Sequence, residues 1–247
     1  MRAHLIVVFA VLASLVARAD CHDLLPVDTD DYPWSSIGKL YNGAGGSCTG
    51  VVVSQTEVVT AAHCLYNRRN GVLLEAPSLH FLIGYRQGEY REDLRISKFI
   101  TGPDYKSDST EASERGDWAI LTLANPPARE IKPLSLADNT PSIGSRLMVG
   151  GFGQPRQFIM TADTDCGVRE ILPNGLLVHD CAVMPGDSGA PLIRSNGDAI
   201  EIVGVNVASA PMYGITANIA VPALSFHRKL IPTRGVSDSR GIANRAG

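Results

Sequence analysis

The stretch Gly186-Asp187-Ser188-Gly189-Ala190-Pro191 sets a serine hydroxyl in a glycine-rich turn. Glycines on both sides let the backbone bend sharply and leave neighbouring amide N–H groups free to face a ligand. A serine hydroxyl is barely nucleophilic at neutral pH, so a reactive one needs a base within hydrogen-bond reach. His63 is the candidate base, delivered by the apolar run Val58-Val59-Thr60-Ala61-Ala62 directly before Cys64. An imidazole near its own pKa can take the serine proton and return it to a leaving amine. Asp117, between Gly116 and the strand-like Trp118-Ala119-Ile120-Leu121, is the candidate to hold the other ring nitrogen. Each residue has an ordinary reading as well: a turn serine, a structural histidine, a turn aspartate. In the order histidine, aspartate, serine, each in its own setting, the three together point to acyl transfer.

Competing chemistries fit worse. The G-x-S-x-G elbow fails at Ala190, and its fold runs serine, acid, histidine. The order aspartate, histidine, serine fails because the best aspartate follows His63. No C-x-x-C or H-E-x-x-H spacing suggests zinc, and Asp28, Asp30 and Asp31 lack the glycine and closing glutamate of an EF-hand. Neither a metal nor a cofactor is expected. His4, His22, His80, His179 and His227 read as structural or surface residues.

The three motifs resemble those of the chymotrypsin/trypsin-like serine proteases. Tyr32-Pro33-Trp34-Ser35-Ser36-Ile37, Ser47-Cys48-Thr49-Gly50 and Leu176–Cys181 are similar to the secreted bacterial trypsin-like branch that includes glutamyl endopeptidases. The resemblance spans Tyr32 to Val221. It implies an all-β fold: two packed six-stranded antiparallel β-barrels with a short C-terminal helix and the site in the cleft between them. It implies a triad of His63, Asp117 and Ser188, an oxyanion hole from the backbone N–H groups of Gly186 and Ser188, and an acyl-enzyme on Ser188. The substrate would be a protein or peptide. The matching pair in the family is bridged, which implies a Cys48–Cys64 disulfide. Cys166 and Cys181 bracket a hairpin-like stretch and are the second expected pair, so Cys21 is left over.

Departures from the family bear on specificity. Trypsin carries an aspartate where this chain has Ala182, so selectivity for Lys or Arg is not expected. Glutamyl endopeptidases place a histidine where Asn206 aligns and a small hydroxyl residue near Val183, so glutamate selectivity is not expected either. Ala182, Val183, Met184, Asn206 and Val207 suggest a neutral, mostly apolar pocket. In animal zymogens a new amine, from an Ile-Val-Gly-Gly start, pairs with the aspartate before the nucleophile, here Asp187. No such start appears between Asp20 and Trp34; the amine of Asp20 and an internal partner are the two candidates. A catalytically silent protease-like binding module, and an enzyme acting on esters or small amides, are the rival functions. An intact triad argues against the first.

The elements that must position these residues are short. Gly50–Ser54, Glu57–Thr60, Leu79–Ile83, Leu94–Ile100, Asp117–Leu123, Arg146–Val149, Leu176–His179, Pro191–Arg194, Glu201–Ala208 and Ile215–Val221 read as strands between turn residues. A first barrel is expected over about 32–124 and a second over about 142–222. The proline-punctuated stretch from Asn125 to Pro141 is the crossing between them. Pro222 to Leu230 suits a short terminal helix, and 231–247 reads as a disordered tail.

The chain has 247 residues, 45% hydrophobic and 19% charged, enough to bury a sizeable core. A net charge of −3 gives no reason to expect nucleic acid or a membrane surface as partner, and a monomer is expected. Residues 1–19 have a basic start, an apolar run and an Ala-x-Ala site, as a signal peptide does. The run is well short of the roughly 20 residues needed to span a bilayer. The expected mature peptidase domain is 20–230, secreted or periplasmic, where disulfides persist.

Overall fold

The computed structural model describes residues 23–103, 105–106, 114–197, 199–212 and 215–230. The expected signal peptide, Cys21 and the C-terminal tail lie outside the described residues. After β1 (Leu25–Pro26), the first barrel is built from β2 (Ile37–Asn42), β3 (Ser47–Ser54), β4 (Glu57–Thr60), β7 (Leu79–Ile83), β8 (Glu92–Thr101) and β9 (Ala119–Leu123). Between β4 and β7 lies a small hairpin of β5 (Tyr66–Asn67) and β6 (Val72–Leu73). The six barrel strands close in the order β2-β3-β4-β9-β8-β7, every pair antiparallel.

Alternation drives this closure. Along β7 the residues are buried and half-buried in turn, so Leu79, Phe81 and Ile83 fill the interior while His80 and Leu82 face outward. Space for the Phe81 ring comes from two glycines opposite each other in register, Gly38 and Gly50. A Cβ at Gly38 would sit 2.6 Å from the ring, so the barrel admits one large side chain there only because the facing positions carry none.

The second barrel comprises β11 (Arg146–Gly151), β12 (Thr161–Ile171), β13 (Leu177–His179), β14 (Pro191–Asn196), β15 (Ala199–Met212) and β16 (Ile215–Pro222). These close in the ring β12-β11-β14-β15-β16-β13, with β1 appended to β12 and β10 (Ser135–Leu136) running parallel to β15. The crossing between barrels is irregular up to β10 and is tied to the first barrel, where Leu134 N donates to Val52 O at 3.0 Å. A 3-10 turn at Ala223–Ser225 leads into α1 (His227–Leu230), the short terminal helix. Phe226, wholly buried, packs its ring 5.7 Å from that of Trp118 and so fastens the chain end onto the first barrel.

Candidate active site

His63 lies in a 3-10 turn, Ala62–Leu65, that breaks away from the end of β4. Cys64, its neighbour, is bridged to Cys48 on β3, with Cα atoms 6.1 Å apart. Asp117 lies two residues before β9, the strand that pairs with β4. That register brings the two residues together: His63 Nδ1 is 2.8 Å from Asp117 Oδ2, and the His63 backbone N–H donates to Asp117 Oδ1 at 2.8 Å. Two bonds to one carboxylate fix both the ring and the turn that carries it, and they make Nδ1 the protonated nitrogen. Asp117 is buried and His63 half-buried, so Nε2 is the ring nitrogen left to face the cleft.

Ser188 belongs to the loop between β13 and β14. Its turn needs two glycines in the left-handed region, Gly186 at φ +113° and Gly189 at φ +82°. A side chain at Gly189 would land on Thr49 O and Thr60 Oγ1. The amides of Asp187, Gly189 and Ala190 donate to backbone carbonyls at 2.9, 2.7 and 3.0 Å. Among the described residues those of Gly186 and Ser188 have no acceptor. Ser188 shares a cleft of about 520 Å³ with His63 and Asp117. Its hydroxyl makes no hydrogen bond among the described residues, the His63 ring included.

The match to the trypsin family covers residues 27–227. The chain belongs to the trypsin family. Kallikrein 1-related peptidase b11 of Mus musculus is 26% identical over 213 residues, 79% of this chain and 77% of the relative. Alpha-fibrinogenase albofibrase of Trimeresurus albolabris is 28% identical over 64% of this chain and 67% of its own length. A solved Glu endopeptidase in complex with MPD, from the branch to which the sequence resemblance pointed, shares the fold. Its TM-score is 0.69 at 18% identity, over 83% of this chain and 93% of that one. This trypsin-family chain is therefore a serine-type endopeptidase, and its substrates are proteins or peptides.

Of the residues expected at the pocket, Val183, Met184, Asn206 and Val207 line the cleft. Ala182 is not among the lining residues; its amide turns away to Asp163 Oδ2 at 2.8 Å. Asn206 is held from two sides, Oδ1 accepting from His179 Nε2 at 3.2 Å and Nδ2 donating to Asp187 O at 3.1 Å. His179 is fully buried, and burial pushes its pKa down to about 4, so the ring is neutral. Asp187 is buried too; burial pushes its carboxyl up to about 6 against a bond from Met184 N at 2.9 Å. Its Oδ1 has no partner among the described residues.

Sequence reasoning missed Thr49. Its N–H donates to Ser188 O at 2.8 Å and its hydroxyl to Gly186 O at 3.0 Å. The same hydroxyl accepts from Phe152 N at 3.1 Å, while Thr49 O accepts from Thr60 Oγ1 at 2.7 Å. One first-barrel residue thus ties down the Ser188 turn of the second. Its only sequence signal was its place beside Cys48.

Proposed function

We propose that the chain is an exported serine endopeptidase that cuts peptide bonds through an acyl-enzyme on Ser188. The observation that carries this reading is the two-bond clamp of Asp117 on His63, facing a cleft that also holds Ser188. His63 Nε2 takes the proton from Ser188 Oγ as the oxygen attacks the scissile carbonyl. The developing oxyanion is received by the N–H groups of Gly186 and Ser188, the two amides of the turn left without acceptors. Losing one such donor typically costs about 2.7–4 kcal/mol of transition-state stabilisation. As the C–N bond breaks, the imidazolium gives its proton to the leaving amine. Water, deprotonated by the same nitrogen, then cleaves the ester and restores the hydroxyl.

The acyl half of the substrate has a place to lie. Beyond Val205, β15 keeps its partner β16 on one side and has no strand on the other among the described residues. An extended peptide adding antiparallel to Val207–Ser209 would run toward Ser188 with its carbonyl end foremost. The adjoining Val183, Met184 and Val207 favour a neutral, apolar side chain, with Asn206 as the polar group beneath it. Two disulfides fit an oxidising compartment outside the cytoplasm.

The test is to assay a peptide amide and the matching ester with the wild-type chain and Asp117→Asn. Removing the carboxylate lets the wrong tautomer form, and kcat on the amide should fall on the order of 10⁴-fold. Ester cleavage without amide cleavage would transfer the assignment to an esterase. Equal activity of the two proteins would remove Asp117 from the mechanism.

A further inference from the structure

We propose that Arg68 and Arg69 select acidic side chains in the part of the substrate that leaves as the amine. The proposal rests on the reading of Ser188 as nucleophile, and it deepens that reading by naming a substrate class. With the acyl half on the free edge of β15, the chain beyond the scissile bond must continue past Gly186, away from that edge. A second cavity of about 260 Å³ lies there. It shares Arg68 and Pro185 with the main cleft, so the two adjoin.

Its walls are built rather than incidental. On one side, Asn42 Oδ1 accepts from Ala44 N and Gly46 N at 3.2 and 2.9 Å, and Asn42 Nδ2 donates to Cys64 O at 3.1 Å. On another, Lys39 Nζ donates to Gln157 O at 2.7 Å, fixing a backbone segment that lines the cavity. Arg68 and Arg69 project from the β5–β6 hairpin, whose turn is closed by Asn67: its carbonyl accepts from Gly71 N at 2.8 Å and its Oδ1 from Arg69 N at 3.0 Å. Leu74 N to Leu65 O, 2.8 Å, ties that hairpin to the turn carrying His63. The hairpin that carries the arginines is therefore tied to the turn of His63.

The charge is one-sided. No carboxylate is among the residues lining this cavity. Both arginines are exposed, and neither has an ion-pair partner among the described residues. The main cleft differs, since Lys106 there is accompanied by Glu114. Two cations in a wet recess beside the scissile bond attract a carboxylate and repel a lysine, and such rim charges act on discrimination and capture more than on chemistry. An exposed pair contributes modestly, so the expected preference is roughly three- to tenfold in kcat/KM at low salt, shrinking as salt screens it.

The experiment uses two internally quenched peptides, identical up to the scissile bond and followed by Asp-Asp or Lys-Lys. The wild-type chain should cut the acidic peptide faster by that factor, and Arg68→Glu/Arg69→Glu should reverse the order. The readout is the ratio of the two rates within one protein, so a general loss of activity does not enter it. Binding of both peptides to Ser188→Ala is measured alongside. An acid preference in binding without cleavage by the wild type would support this site and sink the catalytic reading. Cleavage of both peptides at equal rates, or a preference that survives the charge reversal, would overturn the proposal and leave the nucleophile intact.

Discussion

Thr49, wholly buried, shows how much of the site depends on a residue that does not line the cleft. Its hydroxyl serves Gly186 O and Phe152 N, both buried. Thr49→Val keeps the shape and orphans both groups, which costs about 1–3 kcal/mol apiece. With the turn released, kcat should fall about tenfold or more while KM changes little, and Thr49→Ser should recover most of it. An unchanged kcat would confine Thr49 to structure. Two buried ionisable groups make opposite predictions for acid stability. His179, near 4 in the folded chain, gains its proton around 6.5 when unfolded, so stability is lost as pH falls from about 6.5 to 4. Asp187, near 6 when folded and 3.8 when unfolded, keeps a proton that the unfolded chain has shed, so its contribution is lost as pH rises from about 4 to 6. Melting temperatures between pH 4 and 7 separate them. His179→Gln should flatten the loss on acidification, and Asp187→Asn should steepen it. A shallower slope in Asp187→Asn would mean that Asp187 ionises against a positive partner. The residues of the proposed triad stood out in the sequence because each sits in a distinctive local string. The clamp of His179 on Asn206 did not, since 27 residues separate them and only the closure of the second barrel joins them.

At the scale of elements, the turns that carry the proposed catalytic residues are pinned by cross-links more than by their own propensity. The Cys48–Cys64 bridge holds the His63 turn against β3 across 16 residues. Replacing both cysteines by alanine should cost about 3 kcal/mol on the chain-entropy account, read as a lower denaturant midpoint with a similar slope. A loss below about 1 kcal/mol would mean that the two His63 bonds to Asp117 suffice to hold the turn. Strands that alternate cleanly were legible: Glu57–Thr60 and Leu79–Ile83 form with the bounds their pattern predicts. Two long strands were not. In β2, Lys39 is buried and interrupts the apolar pattern; its ammonium finds Gln157 O and stands 4.4 Å over the Tyr85 ring. In β12, Asp163 is only 2% exposed and would argue against a core strand, yet it accepts from Ala182 N and Asp165 N at 2.8 and 3.0 Å. Backbone groups satisfy these side chains, a carbonyl for Lys39 and two amides for Asp163, and nothing local announces Gln157 or Ala182 as a partner.

At the scale of the whole molecule, the proposed active site lies where the two barrels meet. His63 and Asp117 come from the first barrel and Ser188 from the second, with Thr49 crossing between them. Trp34, in the 3-10 turn before β2, lies against Gly150 of β11, where an added Cβ would come within 2.6 Å of its ring. That contact lets the barrels approach closely enough for one cleft to hold all three residues. The central claim is that this junction activates Ser188. Labelling of the purified mature chain with a fluorophosphonate probe, beside Ser188→Ala and His63→Ala, tests it most directly. The account predicts one label per chain, located on the peptide that contains Ser188, and none in either variant. A well-folded wild-type chain that takes no label, or a label that persists in Ser188→Ala, would contradict it.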